Sequence, residues 1–362
     1  MSIAFEPFDL SGQMLANRIV MAPMTRSRAS ADGFPAPTAA TYYAQRASAG
    51  LIITEAVYPS IVGKGYPYTP GLHSVEQVDA WRNVTDAVHA AGGVIFPQLW
   101  HTGRAGHPSV LPEGLMPEGP SPVAAAAQGF TVQGWQDLVA PVEMTEERIL
   151  ATVQDFAAAA RNAIDAGFDG VEVHGGNGFL LHQFLSTNAN LRTDGWGGSV
   201  AGRIRFTLEV VEAVSAAIGA NRVGLRISPA NPLFDIVEEG YRDTYLALAD
   251  ALAPMGLAYL HVAESCDRDL TVQIRRRFGG TFILNPNTPA AMAIAGPSRL
   301  KLIDDGIADL VSFGALFLAN PDLPARLAAG GPFNLPDSAT FYGGDEHGYI
   351  DYPSLDEVNA TT

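Results

Sequence analysis

The chain of 362 residues is 47% hydrophobic and 17% charged, which is the composition of a folded globular protein and not of a disordered one. Its formal net charge of −16 argues against nucleic acids and anionic membranes as partners, because both reward Lys and Arg. A single cysteine, Cys266, rules out an intrachain disulfide. Neither a signal-peptide pattern nor a run of about 18 apolar residues occurs, so we expect a cytoplasmic protein without a membrane span.

Eight short apolar runs alternate with longer helical patterns along the chain. The runs are continuous and do not alternate in polarity, which is typical of parallel strands covered on both faces. Each run therefore predicts one strand of a parallel sheet. In chain order the runs lie at residues 17–24, 50–57, 92–100, 169–175, 222–229, 259–265, 281–287 and 310–316.

The intervals between the runs predict helices. In the clearest of them, Thr145 caps a helix with one apolar face, and Gly167 ends it. Further helices are predicted over residues 78–92 and 199–219. Eight strand–helix alternations predict an α/β fold, a closed (β/α)8 TIM barrel, as a single domain over residues 1–362. A doubly wound open sheet is the alternative, but it usually has fewer strands.

Two segments do not fit the strand–helix repeat. Residues 101–144 are too long and too rich in proline and glycine for a simple barrel loop, so they predict an inserted hairpin or lid after the third strand. The C-terminal segment, residues 332–362, carries aromatic residues and glycines without a helical period. We expect both segments to lie near the active-site face of the barrel.

Polar side chains recur where the predicted strands end. In barrels of this type the active site lies at the carboxyl ends of the strands, so an accumulation of hydrogen-bonding groups there favours function over chance. Any one of them alone is more simply a polar loop residue. The residues at these ends are Thr25, Glu55, Ala56, Gln98, Trp100, His101, His174, Asn177, Arg226, Glu264, Asn285, Asn287 and Gly314.

Common catalytic motifs are missing from the sequence. It contains no phosphate-binding P-loop, no nucleophile elbow, no C-x-x-C pair and no zinc-binding H-E-x-x-H. His174 and His182 lack the spacing of metal ligands, so we expect no metal site. The glycines around Asn177 do not match a dinucleotide fingerprint, and their simpler interpretation is a tight turn that lets a planar group approach the backbone.

Seven blocks in a fixed order carry a family pattern. They are "NRIVMAPMTR" (17–26), "YYAQRASAGLIITEA" (42–56), "FPQLWHTGR" (96–104), "GFDGVEVHGGNGFLLHQFLS" (167–186), "RTDGWGGSVAGRIRF" (192–206), "GLRISP" (224–229) and "LANPDLPARL" (318–327). Together they resemble the Old Yellow Enzyme family of FMN-dependent ene-reductases over nearly the whole chain. The resemblance implies the same barrel, non-covalent FMN as cofactor, and NADPH or NADH as hydride donor.

The resemblance also implies how the flavin is bound. The backbone before Thr25 and at Ala56 would lie against the isoalloxazine ring, with the Thr25 hydroxyl near O4. Gln98 would hydrogen-bond the pyrimidine edge, and Arg226 would lie by N1 and O2, where a guanidinium stabilises the anionic reduced ring. The cofactor-binding residues predicted in this way are Pro23, Met24, Thr25, Ala56, Gln98, Arg226, Asn285 and Gly314.

His174 and Asn177 match the pair that binds the activating group of the substrate. Hydride addition to the β-carbon of an activated alkene places negative charge on a carbonyl or nitro oxygen. Two N–H donors aimed at that oxygen stabilise the charge, each by about 3 kcal/mol by analogy with an oxyanion hole. The predicted catalytic residues are His174, Asn177 and Thr25, and the substrate-binding residues add Tyr66, Trp100, Phe179 and Tyr342.

Two positions depart from the family pattern. Phe179 stands where many members have the tyrosine that donates a proton to the α-carbon, so water, Tyr66 or Tyr342 must supply that proton. Ala315 stands where the family often has an arginine for the FMN phosphate. Backbone N–H groups at Gly314 and at residues 285–288, with a helix starting near residues 288–289, are the predicted replacement.

The sequence therefore predicts an NAD(P)H-dependent FMN ene-reductase acting on enones, enals, maleimides or nitroalkenes. Phe179 motivates one alternative, a flavin-dependent double-bond isomerase that returns the hydride. Ala315 motivates another, a barrel that binds flavin or another ligand without turnover. The expected partners are small molecules only, and the expected oligomeric state is a monomer or a homodimer.

Overall fold

The computed structural model describes residues 2–287 and 296–361, and a closed barrel of eight parallel strands lies at its centre. The strands in chain order are β1 (Phe8–Leu10), β2 (Gln13–Leu15), β3 (Ile19–Met21), β4 (Leu51–Val57), β5 (Ile95–Leu99), β6 (Glu118–Gly119), β7 (Gln128–Thr131), β8 (Gly134–Asp137), β9 (Val142–Glu143), β10 (Val171–Gly175), β11 (Val223–Ile227), β12 (Tyr259–Ala263), β13 (Phe282–Asn285) and β14 (Leu310–Phe313). The α-helices are α1 (Ala39–Ala44), α2 (Val75–Ala90), α3 (Glu146–Asp165), α4 (Leu180–Leu185), α5 (Val200–Ile218), α6 (Tyr241–Leu252), α7 (Arg268–Phe278), α8 (Gly296–Asp304), α9 (Ala315–Ala319), α10 (Leu323–Ala329) and α11 (Leu355–Thr361).

The barrel order follows the chain. Neighbouring strands pair in the order β3, β4, β5, β10, β11, β12, β13 and β14, and β14 closes onto β3. Each of the eight predicted runs contains one of these strands, and every residue of β4, β5, β10, β11 and β12 is buried. The predicted TIM barrel is therefore confirmed, and the continuous apolar runs reflect strands covered on both faces.

Helices α3 and α5 begin and end at the predicted signals, whereas α2 begins earlier than predicted. Thr145 accepts a hydrogen bond from the Arg148 N–H at the start of α3, and Gly167 follows its end with a φ of +87°. Helix α2 begins three residues before the predicted Val78, because Ser74 and Gln77 form a capping box there. The capping residues therefore determine where α2 begins, whereas the apolar period alone predicts a start that is too late.

The segment after β5 contains the predicted inserted hairpin. Strands β7 and β8 pair antiparallel, with Phe130 opposite Trp135, and the two-residue strands β6 and β9 form a separate parallel pair. A second hairpin, β1–β2, was not predicted. Its Leu10 and Leu15 pack in one cluster with barrel residues that include Val20, so it covers the apolar interior near the start of the strands.

The C-terminal segment is tied to the end of β3. Arg26 donates hydrogen bonds to the backbone carbonyls of Thr340, Phe341 and Gly348. Its guanidinium also lies 5.0 Å from the ring centre of Tyr349. These contacts hold the tail at the carboxyl end of the barrel. In the described part of the chain, no helix combines the length and the apolar character needed to cross a membrane.

Candidate active site

Polar residues from neighbouring strands meet at the carboxyl end of the barrel, as the strand register requires. His174 lies beside Arg226 in the β10–β11 pair, and Gln98 lies beside Glu172 in the β5–β10 pair. Asn285 ends β13, and its Oδ1 accepts a 3.3 Å hydrogen bond from Arg226 Nη2. Because these residues come from four different strands, the barrel itself builds the site.

Arg226 is a buried cation with unused hydrogen-bonding capacity. It is 6% exposed, and its Nε and Nη1 have no partner among the described residues. Burial lowers its pKa, but a guanidinium remains protonated in proteins. Arg226 lines a cavity of about 380 Å³ together with Asn177, Asn285 and Gly314. Unpaired donors on a buried charge are costly, so this cavity suits an anionic or acceptor-rich ligand.

His174 is neutral in this setting. Burial, reinforced by the charge of Arg226, holds the pKa of the His174 imidazole well below its ordinary value. A neutral imidazole carries one N–H donor and one acceptor. The Nδ1 atom of His174 has no partner within the described residues. The ring can therefore offer one hydrogen bond to a ligand oxygen throughout the neutral pH range.

The orientation of the Asn177 side chain is fixed by its neighbours. Asn177 has a φ of +55°, in the left-handed region, and its N–H donates a 2.7 Å hydrogen bond to Ser228 Oγ. Its Oδ1 accepts a 3.0 Å hydrogen bond from Asn231 Nδ2. Because the oxygen end of the amide is engaged, the Nδ2 end remains to donate to a ligand. The sequence did not predict a role for Asn231, which lies 54 residues from Asn177 in the chain.

We expect Asn231→Ala to weaken binding of a phenol ligand by about fivefold. Without the hydrogen bond from Asn231, the Asn177 amide rotates more freely, and one neutral hydrogen bond contributes about 1 kcal/mol. Titration of the flavin absorbance with 4-hydroxybenzaldehyde measures the affinity. Asn221→Ala makes the same change at an exposed position and should leave the affinity for the phenol unaltered. Equal affinities for wild type and Asn231→Ala would show that Asn231 does not orient Asn177.

A buried histidine–carboxylate pair stabilises the turn at Asn177 and Gly178. The Gly178 N–H donates a 2.9 Å hydrogen bond to His182 Nδ1, and His182 Nε2 lies 3.1 Å from Glu238 Oε2. Both side chains are at most 3% exposed. His182 thus holds the Asn177–Gly178 turn and pairs with Glu238. Within residues 2–287 and 296–361, no three His, Cys, Asp or Glu side chains cluster as a candidate metal site.

An aromatic cluster adjoins His174. The Phe179 ring centre lies 4.7 Å from that of Trp100, 5.2 Å from that of His174 and 5.6 Å from that of Phe234. Tyr66 completes the cluster, with its ring 5.3 Å from Trp100. Phe234 was not predicted, because it follows a strand end by seven residues in an irregular loop. The cluster forms an apolar wall suited to a flat substrate.

Two tyrosines differ in how closely they approach this wall. Burial raises the pKa of Tyr66, with a further rise from nearby Tyr342, so the Tyr66 hydroxyl is protonated and can donate at neutral pH. Tyr342 is 65% exposed. The structure therefore places Tyr66 in the wall and Tyr342 at its edge, on the C-terminal segment.

A buried network orients Gln98. The Nε2 of Gln98 donates a 2.8 Å hydrogen bond to Glu172 Oε1. The other carboxylate oxygen of Glu172 lies 2.7 Å from His261 Nδ1, and His261 Nε2 lies 2.9 Å from Ser312 Oγ. With its nitrogen engaged, Gln98 presents its Oε1 as an acceptor. The network was not predicted, because Glu172 and His261 lie within buried strands and carry no motif.

The other predicted cofactor residues line the same end of the barrel. Ala56 is buried beside Gln98 in the β4–β5 register. Pro23, Met24 and Thr25 follow β3 and are partly buried. Gly314 precedes α9, and a Cβ built on it would meet only Met24 Sδ, at 3.8 Å, so its backbone is open to the cavity. Of the predicted phosphate segment, residues 288–289 lie outside the described residues.

Glu55, two residues before the end of β4, contacts loop backbone and is not among the residues that line the cavity. It is buried and accepts a 3.1 Å hydrogen bond from the Arg26 N–H. Burial raises the pKa of Glu55 to about 7. His101, another polar strand-end residue, accepts a 3.1 Å hydrogen bond from the Gly103 N–H. Both side chains accept hydrogen bonds from backbone N–H groups of loops and so stabilise the conformation of those loops.

We expect Glu55→Gln to flatten the pH dependence of stability between pH 5 and 8. A folded-state pKa of about 7, raised from 4.5, means that the folded protein binds the proton more tightly than the unfolded chain. Stability from this group therefore falls as pH rises from about 4.5 to 7, by about 3 kcal/mol in total. Urea unfolding of both proteins across this range measures the difference. Parallel pH profiles would contradict the assignment.

The barrel combines a buried cation that lines a cavity with a histidine–asparagine donor pair. This combination is typical of a flavin oxidoreductase. The model of the NADH:flavin oxidoreductase / NADH oxidase family matches residues 4–334. The chain belongs to this family, the Old Yellow Enzyme family, and the resemblance inferred from the sequence is confirmed.

Several relatives resemble the chain along nearly its whole length. A probable flavin mononucleotide-dependent alkene reductase of Leishmania infantum is 43% identical, over 98% of this chain and 98% of its own. The 12-oxophytodienoate reductase 1 of rice, Oryza sativa subsp. japonica, is 40% identical, over 98% and 93%. Among solved structures, morphinone reductase in complex with tetrahydroNAD has a TM-score of 0.91 and 43% identity, covering 98% of both chains. An old yellow enzyme homologue from Zymomonas mobilis has a TM-score of 0.91 and 38% identity, covering 97% of this chain and 99% of its own.

The protein is an FMN-dependent NAD(P)H oxidoreductase with ene-reductase activity. The residues present fit FMN. The unpaired Nε and Nη1 of Arg226 match the acceptor-rich pyrimidine edge of a flavin, and the free Oε1 of Gln98 matches its N3–H donor.

Proposed function

We propose that the protein reduces alkenes conjugated to a carbonyl or nitro group, with His174 and Asn177 hydrogen-bonded to the oxygen of that group. Bound FMN, reduced by NADPH or NADH, supplies the hydride that the β-carbon of the alkene receives. Negative charge then develops on the activating oxygen. Two fixed N–H donors stabilise this charge, and removal of one such donor typically costs about 3 kcal/mol.

The fixed amide of Asn177 carries the proposal. Because Asn231 engages its oxygen, the amide is oriented to donate before any substrate binds. Preorganised donors stabilise a developing charge more than donors that must first reorient. His174 adds a second donor that is neutral and therefore does not lose its role when pH changes near neutrality.

The aromatic wall supports flat, electron-poor alkenes as substrates. Phe179, Trp100 and Phe234 offer apolar faces on which enones, enals, maleimides or nitroalkenes can stack. Phe179 has no acidic proton, so protonation of the α-carbon falls to the Tyr66 hydroxyl or to water. Tyr66 is the better-placed of the two tyrosines, because its ring packs against both Trp100 and Phe179.

The remaining assignments concern the cellular setting. We place the protein in the cytoplasm as a monomer or homodimer that works on small molecules. Its net charge of −16 and its single cysteine support this setting.

Anaerobic turnover with NADPH and 2-cyclohexenone tests the proposed reaction. We expect one NADPH to be oxidised for each cyclohexanone formed. Migration of a double bond without consumption of NADPH would identify an isomerase. A protein that binds FMN but is not bleached by NADPH or NADH would be a binding barrel, and the reductase proposal would fail.

A further inference from the structure

The cavity beside Arg226 must accommodate more charge than a flavin ring carries. FMN ends in a phosphate with close to two negative charges at neutral pH, and burial of such a group requires cationic or N–H partners. The lining of the cavity of about 380 Å³ includes Asn177, Arg226, Asn285, Gly314 and Ala315. Ala315 contributes no charge to it.

Arg299 is the second cation that lines this cavity. It lies in the first turn of α8, and its guanidinium packs 5.4 Å from the ring centre of Phe313, at the end of β14. Phe313 directly precedes Gly314 and Ala315. Arg299 therefore lies near the end of β14, where Ala315 provides no charged side chain. The guanidinium is partly buried and stays protonated.

The carboxylate in the same lining does not compete for this role. Glu264 accepts hydrogen bonds of 2.6 and 2.7 Å from Arg268 and one of 2.9 Å from Thr271 Oγ1. Its charge is therefore matched by Arg268, and the cavity lining also contains two guanidinium groups, those of Arg226 and Arg299. Arg226 lies beside His174 in the β10–β11 pair, where it is assigned to the flavin ring, whereas Arg299 adjoins Phe313, which precedes Gly314 and Ala315.

We propose that Arg299 binds the terminal phosphate of FMN, so that helix α8 supplies the positive charge that position 315 lacks. This inference rests on FMN as the cofactor of the proposed reaction. It assigns Arg299 a function that the sequence did not single out, because one arginine in a surface-helix pattern is usually a solvated side chain.

The test compares FMN with riboflavin, which lacks the phosphate. FMN release on dilution of the holoprotein is followed by flavin fluorescence, and riboflavin is measured in the same way after exchange by dialysis. We expect Arg299→Met to weaken FMN binding by about 10- to 100-fold, the effect of losing a charge-assisted hydrogen bond, and to leave riboflavin binding unchanged. Arg276→Met, an exposed arginine of α7, should alter neither.

A second variant separates phosphate binding from a general loss of structure. Adding Ala315→Arg to Arg299→Met places a guanidinium back in the same cavity, and we expect FMN affinity to recover by at least fivefold. Equal losses for FMN and riboflavin, or unchanged FMN affinity in Arg299→Met, would overturn the inference while leaving the proposed reaction intact. A wild-type protein that binds neither flavin would overturn both.

Discussion

Replacing both His174 and Asn177 with Ala weakens binding of 4-hydroxybenzaldehyde by about 100-fold or more. The phenolate oxygen resembles the oxygen on which charge develops during reduction, and a hydrogen bond to a charged group contributes about 1.5–3 kcal/mol. Loss of two such bonds removes at least about 3 kcal/mol. Spectroscopic titration of the flavin at several phenol concentrations measures the dissociation constant.

The control keeps the same chemical changes but moves them to exposed positions. His89→Ala with Asn221→Ala should leave phenol affinity unchanged, because neither side chain lies at the carboxyl end of the barrel. His174→Asn retains an N–H donor and should lose less affinity than His174→Ala. Phenol binding that survives the double change would remove the role assigned to the pair.

Phe179→Tyr accelerates reduction of 2-cyclohexenone by about 100-fold. A positioned general acid typically contributes about 10²–10⁴ in rate. The Phe179 ring centre lies 5.2 Å from that of His174, so a hydroxyl on this ring sits beside the proposed substrate site. Rapid mixing of the NADPH-reduced protein with the enone, in wild type and variant, measures the rate constant.

A nitroalkene provides the matched control for this variant. Hydride addition to a nitroalkene gives a nitronate, which is a much weaker base than an enolate and can leave without being protonated. We therefore expect nitrostyrene reduction to change less than twofold in Phe179→Tyr. If the two substrates respond alike, the substitution acts through packing, and proton supply does not limit the wild-type protein.

The barrel was predictable from the sequence because each strand is buried on both faces and therefore appears as a continuous apolar run. The β1–β2 hairpin was not. Its strands have three residues each, too few for a period, and its only signal is the Ser11–Gly12 pair, whose positive φ values of 52° and 98° make a tight turn. Short elements that pack through two leucines leave little pattern to detect.

The candidate site divides in the same way. His174, Asn177 and Arg226 were predictable because they lie at or near strand ends within the family blocks. The residues that orient Asn177 and Gln98 were not predictable, since Asn231 and Glu172 act through hydrogen bonds between elements far apart in the chain. Such contacts depend on tertiary geometry, which a single sequence does not reveal.

The role of His174 and Asn177 in catalysis is tested by the anaerobic reaction of the NADPH-reduced protein with 2-cyclohexenone, compared between wild type and His174→Ala with Asn177→Ala. Return of the oxidised flavin absorbance reports the reaction. We predict that wild type is reoxidised by the enone and that the double variant reacts at least about 1,000-fold more slowly, since two charge-stabilising donors are lost. Equal rates in the two proteins would show that this pair does not stabilise the charge formed on the substrate oxygen.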